Sequence, residues 1–317
     1  MVEQKLREWA AAKGYRVAAG PAAILAEVEA ELRARHEKGD LDRQFVGAWM
    51  GWIGQSRDEP RAAARAEATP SAAPQSVIGV VVPCPASRVV FTLPDRELAA
   101  VVPPTYCQDT RLGEQVRGDI LSLLPELGGN LVPVFHGRKA IAARLGLTAY
   151  GVNNITYSPG IGSFLWIGAF STTARVTSSG RQLMSTESML PDCEACGRCR
   201  DACPMGAILE QRFLIRAERC LTHFNERPDP IPAWVPARAH NALVGCMICQ
   251  DICPQNEGLL TVQDTGVVFS REETAALLGG NGTPLGAALL DKLAGLGLDG
   301  YRAVIGRNLA LLAGASG

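Results

Sequence analysis

Ten cysteines stand in this 317-residue sequence, and eight of them are spaced for metal chemistry. Four form the run Cys193-x2-Cys196-x2-Cys199-x3-Cys203, closed by Pro204. Thiolates at these intervals let one tight loop wrap three corners of a [4Fe–4S] cubane. The fourth Cys is carried past that cubane, and Pro204 helps turn the chain away. A shorter run follows, Cys246-x2-Cys249-x3-Cys253-Pro254, with three Cys where the first has four. Cys220, alone between the runs, supplies the missing thiolate, so the eight divide into two sets of four. Structural zinc takes paired Cys-x2-Cys half-sites, a poor fit to the x2-x2-x3-Cys-Pro run. Disulfides need an oxidising compartment, and nothing in the sequence points to export.

The runs resemble those of two-cluster bacterial ferredoxins, in which the fourth Cys ligates the other cluster. That resemblance implies crossed ligation. Cys193, Cys196, Cys199 and Cys253 hold one cluster; Cys203, Cys220, Cys246 and Cys249 hold the other. Cluster potential responds to hydrogen bonds, nearby charge and exposure. Arg198 and Arg200, inside the first loop, would favour the reduced state; the competing reading makes them plain surface charges. His223 reads as a loop residue, with a hydrogen bond to a cluster sulfur as its alternative. Cys84 and Cys107 read as buried, unreactive thiols.

The elements that must position this chemistry come from hydrophobic periodicity. Residues 4–12 read as an amphipathic helix, with Leu6, Trp9 and Ala10 on one side. Tyr15 to Ala18 is a brief strand, and Pro21 opens a second helix through about Arg35. Phe45, Trp49, Met50 and Trp52 form an aromatic group read as core. Asp58 to Gln75 has the composition of a solvated connection. Val77 to Val82 is a continuous β-branched run, as in a buried strand. Further strands are expected at Arg88–Leu93, Leu131–Phe135 and Phe164–Phe170, with helices at 109–126 and 138–146. Small helices are expected at 271–279 and 284–314.

The expected fold is an α/β (α+β) N-terminal domain, residues 1–185. A two-cluster bacterial-ferredoxin-like module, 186–258, and a short helical C-terminus, 259–317, follow it. The 31 basic and 32 acidic residues give no global positive field for nucleic acid. No apolar run reaches the length of a membrane span. The charged start, Met1-Val-Glu-Gln-Lys-Leu-Arg-Glu, is unlike a signal peptide, so a cytoplasmic location is expected.

Two blocks resemble the epoxyqueuosine reductase family. One is the cluster module with Gly245-Cys246-x2-Cys249-Gln250-x2-Cys253-Pro254-x-Asn256. The other runs from Ala140 through Tyr150-Gly151-Val152-Asn153 to Gly162-Ser163-Phe164. The resemblance implies a cytoplasmic reductase with two [4Fe–4S] clusters and a cobalamin, acting on an epoxide in the queuosine base of tRNA. It implies that the cobalamin lies between the α/β domain and the cluster module. Tyr150, Gly151 and Asn153 are the expected cofactor wall, because glycine allows close backbone approach.

The sequence departs from the family at chemically loaded positions. The place of the family's catalytic Asp is Val132; that of the Lys in its Gly-Lys-Asn loop is Val152; that of a Glu after the strand is Ala169. The family's C-terminal HEAT-like region is expected to be rudimentary, beginning at Arg307-Asn308. A reductase still needs a proton, and His136 and Tyr106 are the candidates to give it.

Three functional expectations follow. The first is a cobalamin-dependent reductase of this type on a changed, smaller substrate, a small molecule or nucleoside, fed by a ferredoxin or flavodoxin. The second is an electron-transfer protein with the relay and no catalytic site. The third is a true tRNA epoxyqueuosine reductase using His136. With near-neutral charge, weak and salt-sensitive tRNA binding is expected, and no membrane partner.

Overall fold

The computed structural model describes residues 2–41, 73–107, 109–128, 130–176, 183–185, 188–191, 193–210, 214–280 and 284–315. The aromatic group at 45–52 and most of the connection at 58–75 lie outside the described residues. Among the described residues the strands are β1 Arg16–Pro21, β2 Ser76–Pro83, β3 Ala86–Thr92, β4 Glu97–Val102, β5 Val132–Pro133, β6 Ala149–Tyr150, β7 Thr156–Tyr157, β8 Leu165–Thr172 and β9 Val262–Phe269. They form a four-stranded sheet ordered β1-β2-β8-β5, a three-stranded sheet ordered β4-β3-β9, and the pair β6-β7. The fold is mixed α/β, with the cysteine-rich region at 192–256 and a C-terminal helix.

The chain divides into two compact units of alternating stretches, where the sequence reads as three consecutive segments. The first comprises 1–83, 111–159 and 166–193; the second comprises 84–110, 160–165 and 194–317.

The first unit is built on β2. Its Ser-Val-Ile-Gly-Val-Val-Val run is buried at every position before Pro83, as expected of a strand covered on both faces. β1 pairs with it antiparallel, from Arg16 opposite Val81 to Pro21 opposite Ser76. Pro21 therefore ends a strand instead of opening the second helix, which spans Ala23–Glu37. That helix and Arg138–Arg144 pack against β2 and each other. The helix expected at 109–126 is Asp109–Leu123. Pro125 cuts it short: the residue before a proline is pushed out of the helical region, and Leu124 has φ −125° and ψ 67°.

The second unit has its own core. Phe91 and Phe269, from β3 and β9, stack with centroids 4.6 Å apart. Leu289, Leu293, Val304, Ile305 and Leu309, from the helices Ala287–Gly295 and Arg302–Ala315, complete it. β9 runs parallel to β3 and ends in a capping box. There Ser270 accepts from Glu273 N–H, and the Glu273 carboxylate accepts from Ser270 N–H.

Candidate iron–sulfur centre

The two cysteine runs have the same backbone design. In the first, Cys193–Cys196 and Arg198–Ala202 are short helical turns; Cys203 is extended (φ −71°, ψ 108°) and Pro204 follows. In the second, Ile248–Asp251 is the helical turn; Cys253 is extended (φ −74°, ψ 124°) and Pro254 follows. A residue before proline favours the extended region, so each terminal Cys leaves its turn at the same place. The turns Arg198–Ala202 and Ile248–Asp251 pack against each other, carrying Cys199 and Cys249. Cys220 is also extended, between the turn Ala217–Arg219 and the helix Leu221–Asn225.

Three of the eight thiols are gathered visibly. Cys203, Cys220 and Cys246 pack on one buried apolar cluster of Met205, Ala207, Leu221, Val235 and Ala239. Burial pushes the thiols of Cys220 and Cys246 up; Cys203 raises both further, and Cys220 raises Cys246. Three thiols from separate stretches, packed on one apolar cluster, suit a shared soft metal centre. Among the described residues no three His, Cys, Asp or Glu side chains close on a point as ligands of a single ion do. None of the ten cysteines is in a disulfide. Cys199 is buried, Cys196 is exposed, and Cys193, Cys249 and Cys253 are half-buried. Cys193 Sγ accepts from Val152 N–H at 3.4 Å.

The second unit holds the Cys220 and Cys246 loops through buried amides and an arginine. Asn225 Nδ2 donates to Gly245 O at 2.8 Å. Asn308 Nδ2 donates to Asn225 O at 2.8 Å and Leu243 O at 2.9 Å. Arg307 donates to Phe224 O at 2.7 Å. Arg307 and Asn308, read as the start of a further helical region, thus serve this centre. Their sequence signal was a polar pair inside an apolar helix.

The remaining candidates separate. Tyr106 and Glu226 are paired, the hydroxyl donating to the carboxylate. Tyr106 lies against Gly245, and burial first, then Glu226, raises its hydroxyl well above the usual value. Thr105, just before it, has φ 82°, rare for a β-branched residue, with its N–H on Cys84 Sγ at 3.3 Å. Cys84 is buried, and burial raises the Cys107 thiol, in line with two inert thiols. His136 is half-buried at the bend between β5 and the helix Arg138–Arg144, in the first unit. His223 stands edge-on to Phe224 at 5.2 Å. Arg198 is exposed, and Arg200 pairs with the exposed Asp201 at 3.8 Å and Glu210 at 3.7 Å, so the surface-charge reading describes both.

The loop expected to wall a cobalamin is engaged within itself. A Cβ on Gly151 would meet Asn153 Oδ1 at 2.7 Å and Tyr157 Cε2 at 2.9 Å. Asn153 is buried, its Nδ2 donating to Tyr157 Oη at 2.8 Å and its Oδ1 accepting from Ile155 N–H at 3.2 Å. Tyr150 is buried, and its backbone pairs with Ser188 and Leu190. Gly151 is thus required by its own loop. Val132 lies in β5 opposite Ser171, and Ala169 O on the neighbouring strand accepts from Val134 N–H. Two positions where the resembled family is titratable therefore sit on paired strands here, both apolar.

Comparison with known proteins follows the same division. Residues 192–256 match a family described as a 4Fe-4S double cluster binding domain. An epoxyqueuosine reductase of Lactococcus garvieae is 30% identical over 146 residues, covering 46% of this chain and 38% of that protein. One from a Synechococcus species is 36% identical over 120 residues, covering 38% of this chain and 34% of that protein. The chain thus matches under two fifths of the length of these relatives. The solved epoxyqueuosine reductase of Streptococcus thermophilus superposes over 99% of this chain and 81% of its own, with TM-score 0.65 and 16% identity. An epoxyqueuosine reductase solved with a tRNA-Tyr epoxyqueuosine-modified stem loop gives TM-score 0.64 at 18% identity, with the same coverage. The overall fold is shared with these structures. Among the described residues no helix is long and apolar enough to cross a membrane.

Proposed function

We propose that this chain is an iron–sulfur oxidoreductase that relays electrons through two [4Fe–4S] clusters to a modified nucleoside. The packing of Cys203, Cys220 and Cys246 on one buried apolar cluster, inside the residues matching a double-cluster domain, carries the reading. Cys249 completes that set, and Cys193, Cys196, Cys199 and Cys253 form the other. A ferredoxin or flavodoxin is the donor that suits such a relay.

The curated relatives are epoxyqueuosine reductases, and a solved neighbour holds a modified tRNA stem loop. They favour a nucleoside presented on a tRNA stem loop over the weak RNA contact expected from net charge. Recognition of an RNA loop by shape, stacking and 2′-OH contacts needs no global basic excess. Of the two proton-donor candidates, Tyr106 is held by Glu226, so His136 takes the role in this reading.

A second reading, an electron carrier without a catalytic site, is favoured by Val132, Val152 and Ala169, apolar where the resembled family carries Asp, Lys and Glu. Anaerobic reconstitution should give about eight irons per chain. The reduced protein should then consume the epoxide of an epoxyqueuosine stem loop. Iron without turnover, with and without added cobalamin, would establish the carrier. Tightly bound zinc without iron would remove both readings.

A further inference from the structure

Asn241 sits five residues before Cys246 and makes three hydrogen bonds. Its Oδ1 accepts from Met247 N–H at 2.9 Å. Its Nδ2 donates to Ala239 O at 2.8 Å and to Cys246 Sγ at 3.2 Å. The orientation of the amide is fixed by the backbone: Met247 N–H can only donate and Ala239 C=O can only accept. The N–H groups therefore face the carbonyl and the sulfur, and the oxygen faces away. Ala239 is fully buried and Asn241 is half-buried, so water competes little for this contact.

We propose that Asn241 is a positioning residue that sets the reduction potential of the cluster held by Cys203, Cys220, Cys246 and Cys249. The inference rests on the double-cluster reading above. A reduced cluster carries one more negative charge than an oxidised one, and part of that charge resides on its thiolates. A donor aimed at Cys246 Sγ stabilises the reduced state more than the oxidised one, which raises the potential. In the other set, Cys193 takes a backbone donor, Val152 N–H. A side-chain donor can be changed without touching the chain path, and evolution or mutagenesis can tune it.

Asn241→Asp is the informative variant. It keeps an oxygen for Met247 N–H but gives up the donor to Ala239 O. It replaces the donor beside Cys246 Sγ with a negative oxygen. The experiment is a spectroscopic redox titration of reconstituted wild type and variant, with iron measured on both. The expected result is full iron in each, one cluster shifted to a more negative potential, and the other unchanged. Equal potentials in wild type and variant would overturn the proposal. If the aspartate variant sheds one cluster, Asn241→Ala, which removes the donor without adding charge, is titrated in its place; a smaller shift of the same sign supports the role. Loss of that cluster in both variants would make Asn241 a structural part of the loop and overturn the proposal. A wild type lacking two cubanes would instead count against the cluster reading itself.

Discussion

Asn256 brackets Ser163 on two sides. Its Oδ1 accepts from Ser163 N–H at 2.8 Å, and its Nδ2 donates to Ser163 Oγ at 2.8 Å. The Ser163 hydroxyl passes on to Gln250 Oε1 at 2.9 Å, and Asn256 Nδ2 also reaches Gln250 O at 2.8 Å. Gly162, with φ 68°, makes room: a Cβ there would meet Asn256 Oδ1 at 2.4 Å. The Gly162-Ser163-Phe164 block and the Cys253-Pro254-x-Asn256 block, far apart in sequence, are thus one structural piece. It holds the turn carrying Cys249 and Cys253.

Asn256→Ala should therefore cost stability. It leaves the buried Ser163 N–H unmet, at about 1–3 kcal/mol, while Gln250 C=O keeps Cys253 N–H as its donor. Denaturant unfolding of the reconstituted protein measures the loss. A change within ~0.5 kcal/mol, the range of an ordinary surface substitution, would show that the bracket contributes nothing.

Much of this fold was legible in the sequence because burial was continuous or periodic. β2 and β8 declare themselves as apolar runs, and the eight cysteines by spacing. β9 did not: its residues Val262-Gln-Asp-Thr-Gly-Val-Val-Phe269 are mostly exposed on a sheet edge, so no clean alternation is imposed on them. β4 was likewise not read: Leu98-Ala-Ala-Val-Val102 is apolar, without the alternation in the sequence that marks a half-buried strand. The Tyr106–Glu226 pair, the Asn241 amide and the Asn225–Asn308 ladder depend on contacts between residues far apart in sequence, which no local pattern reports. At Gly151 the local pattern allows two explanations: a cofactor wall, and the close approach of its own neighbours Asn153 and Tyr157.

Glu226 gives a pH signature. Burial pushes its carboxyl up from the ordinary 4.5, and the Tyr106 hydroxyl pulls back less strongly. A carboxyl whose folded value lies above its unfolded value holds its proton more tightly in the fold. Its contribution to stability is complete below the unfolded value and is lost as pH rises through the folded value. Wild type should thus lose stability relative to Glu226→Gln as pH climbs through a window above the usual glutamate range. Tyr106→Phe removes the group that pulls the carboxyl down, so the window should move to higher pH. Denaturant unfolding at a series of pH values, with iron content checked at each, reads both effects; parallel curves for wild type and Glu226→Gln would refute them.

Gly151→Ala should strain the loop whether or not any cofactor is offered. The new methyl would press on Asn153 and Tyr157, and overpacking of this kind costs about 1–3 kcal/mol. Unfolding of the protein prepared without cobalamin should already show the loss. A cost that appears only with cobalamin present would restore Gly151 to a cofactor wall.

The crossing of ligands can be separated from the simpler arrangement by a double variant. If each cysteine run held its own cluster, Cys220 and Cys253 would both belong to the second run's cubane. Crossed ligation places them on different cubanes, Cys220 with Cys203 and Cys246, Cys253 with Cys193. Packing favours the crossed set, since Cys203 lies on the same buried apolar cluster as Cys220 and Cys246. Cys220→Ala alone and Cys253→Ala alone should each lower iron from about eight to about four per chain, leaving different cubanes behind. The spectra of the two single variants should therefore differ. Combining the substitutions discriminates fully. Crossed ligation expects the double variant to hold almost no iron, whereas separate ligation expects about four irons to survive, because only one cubane is touched. Iron and sulfide analysis of the anaerobically reconstituted double variant gives the answer. A surviving cubane would reassign Cys203 to the first run and Cys253 to the second.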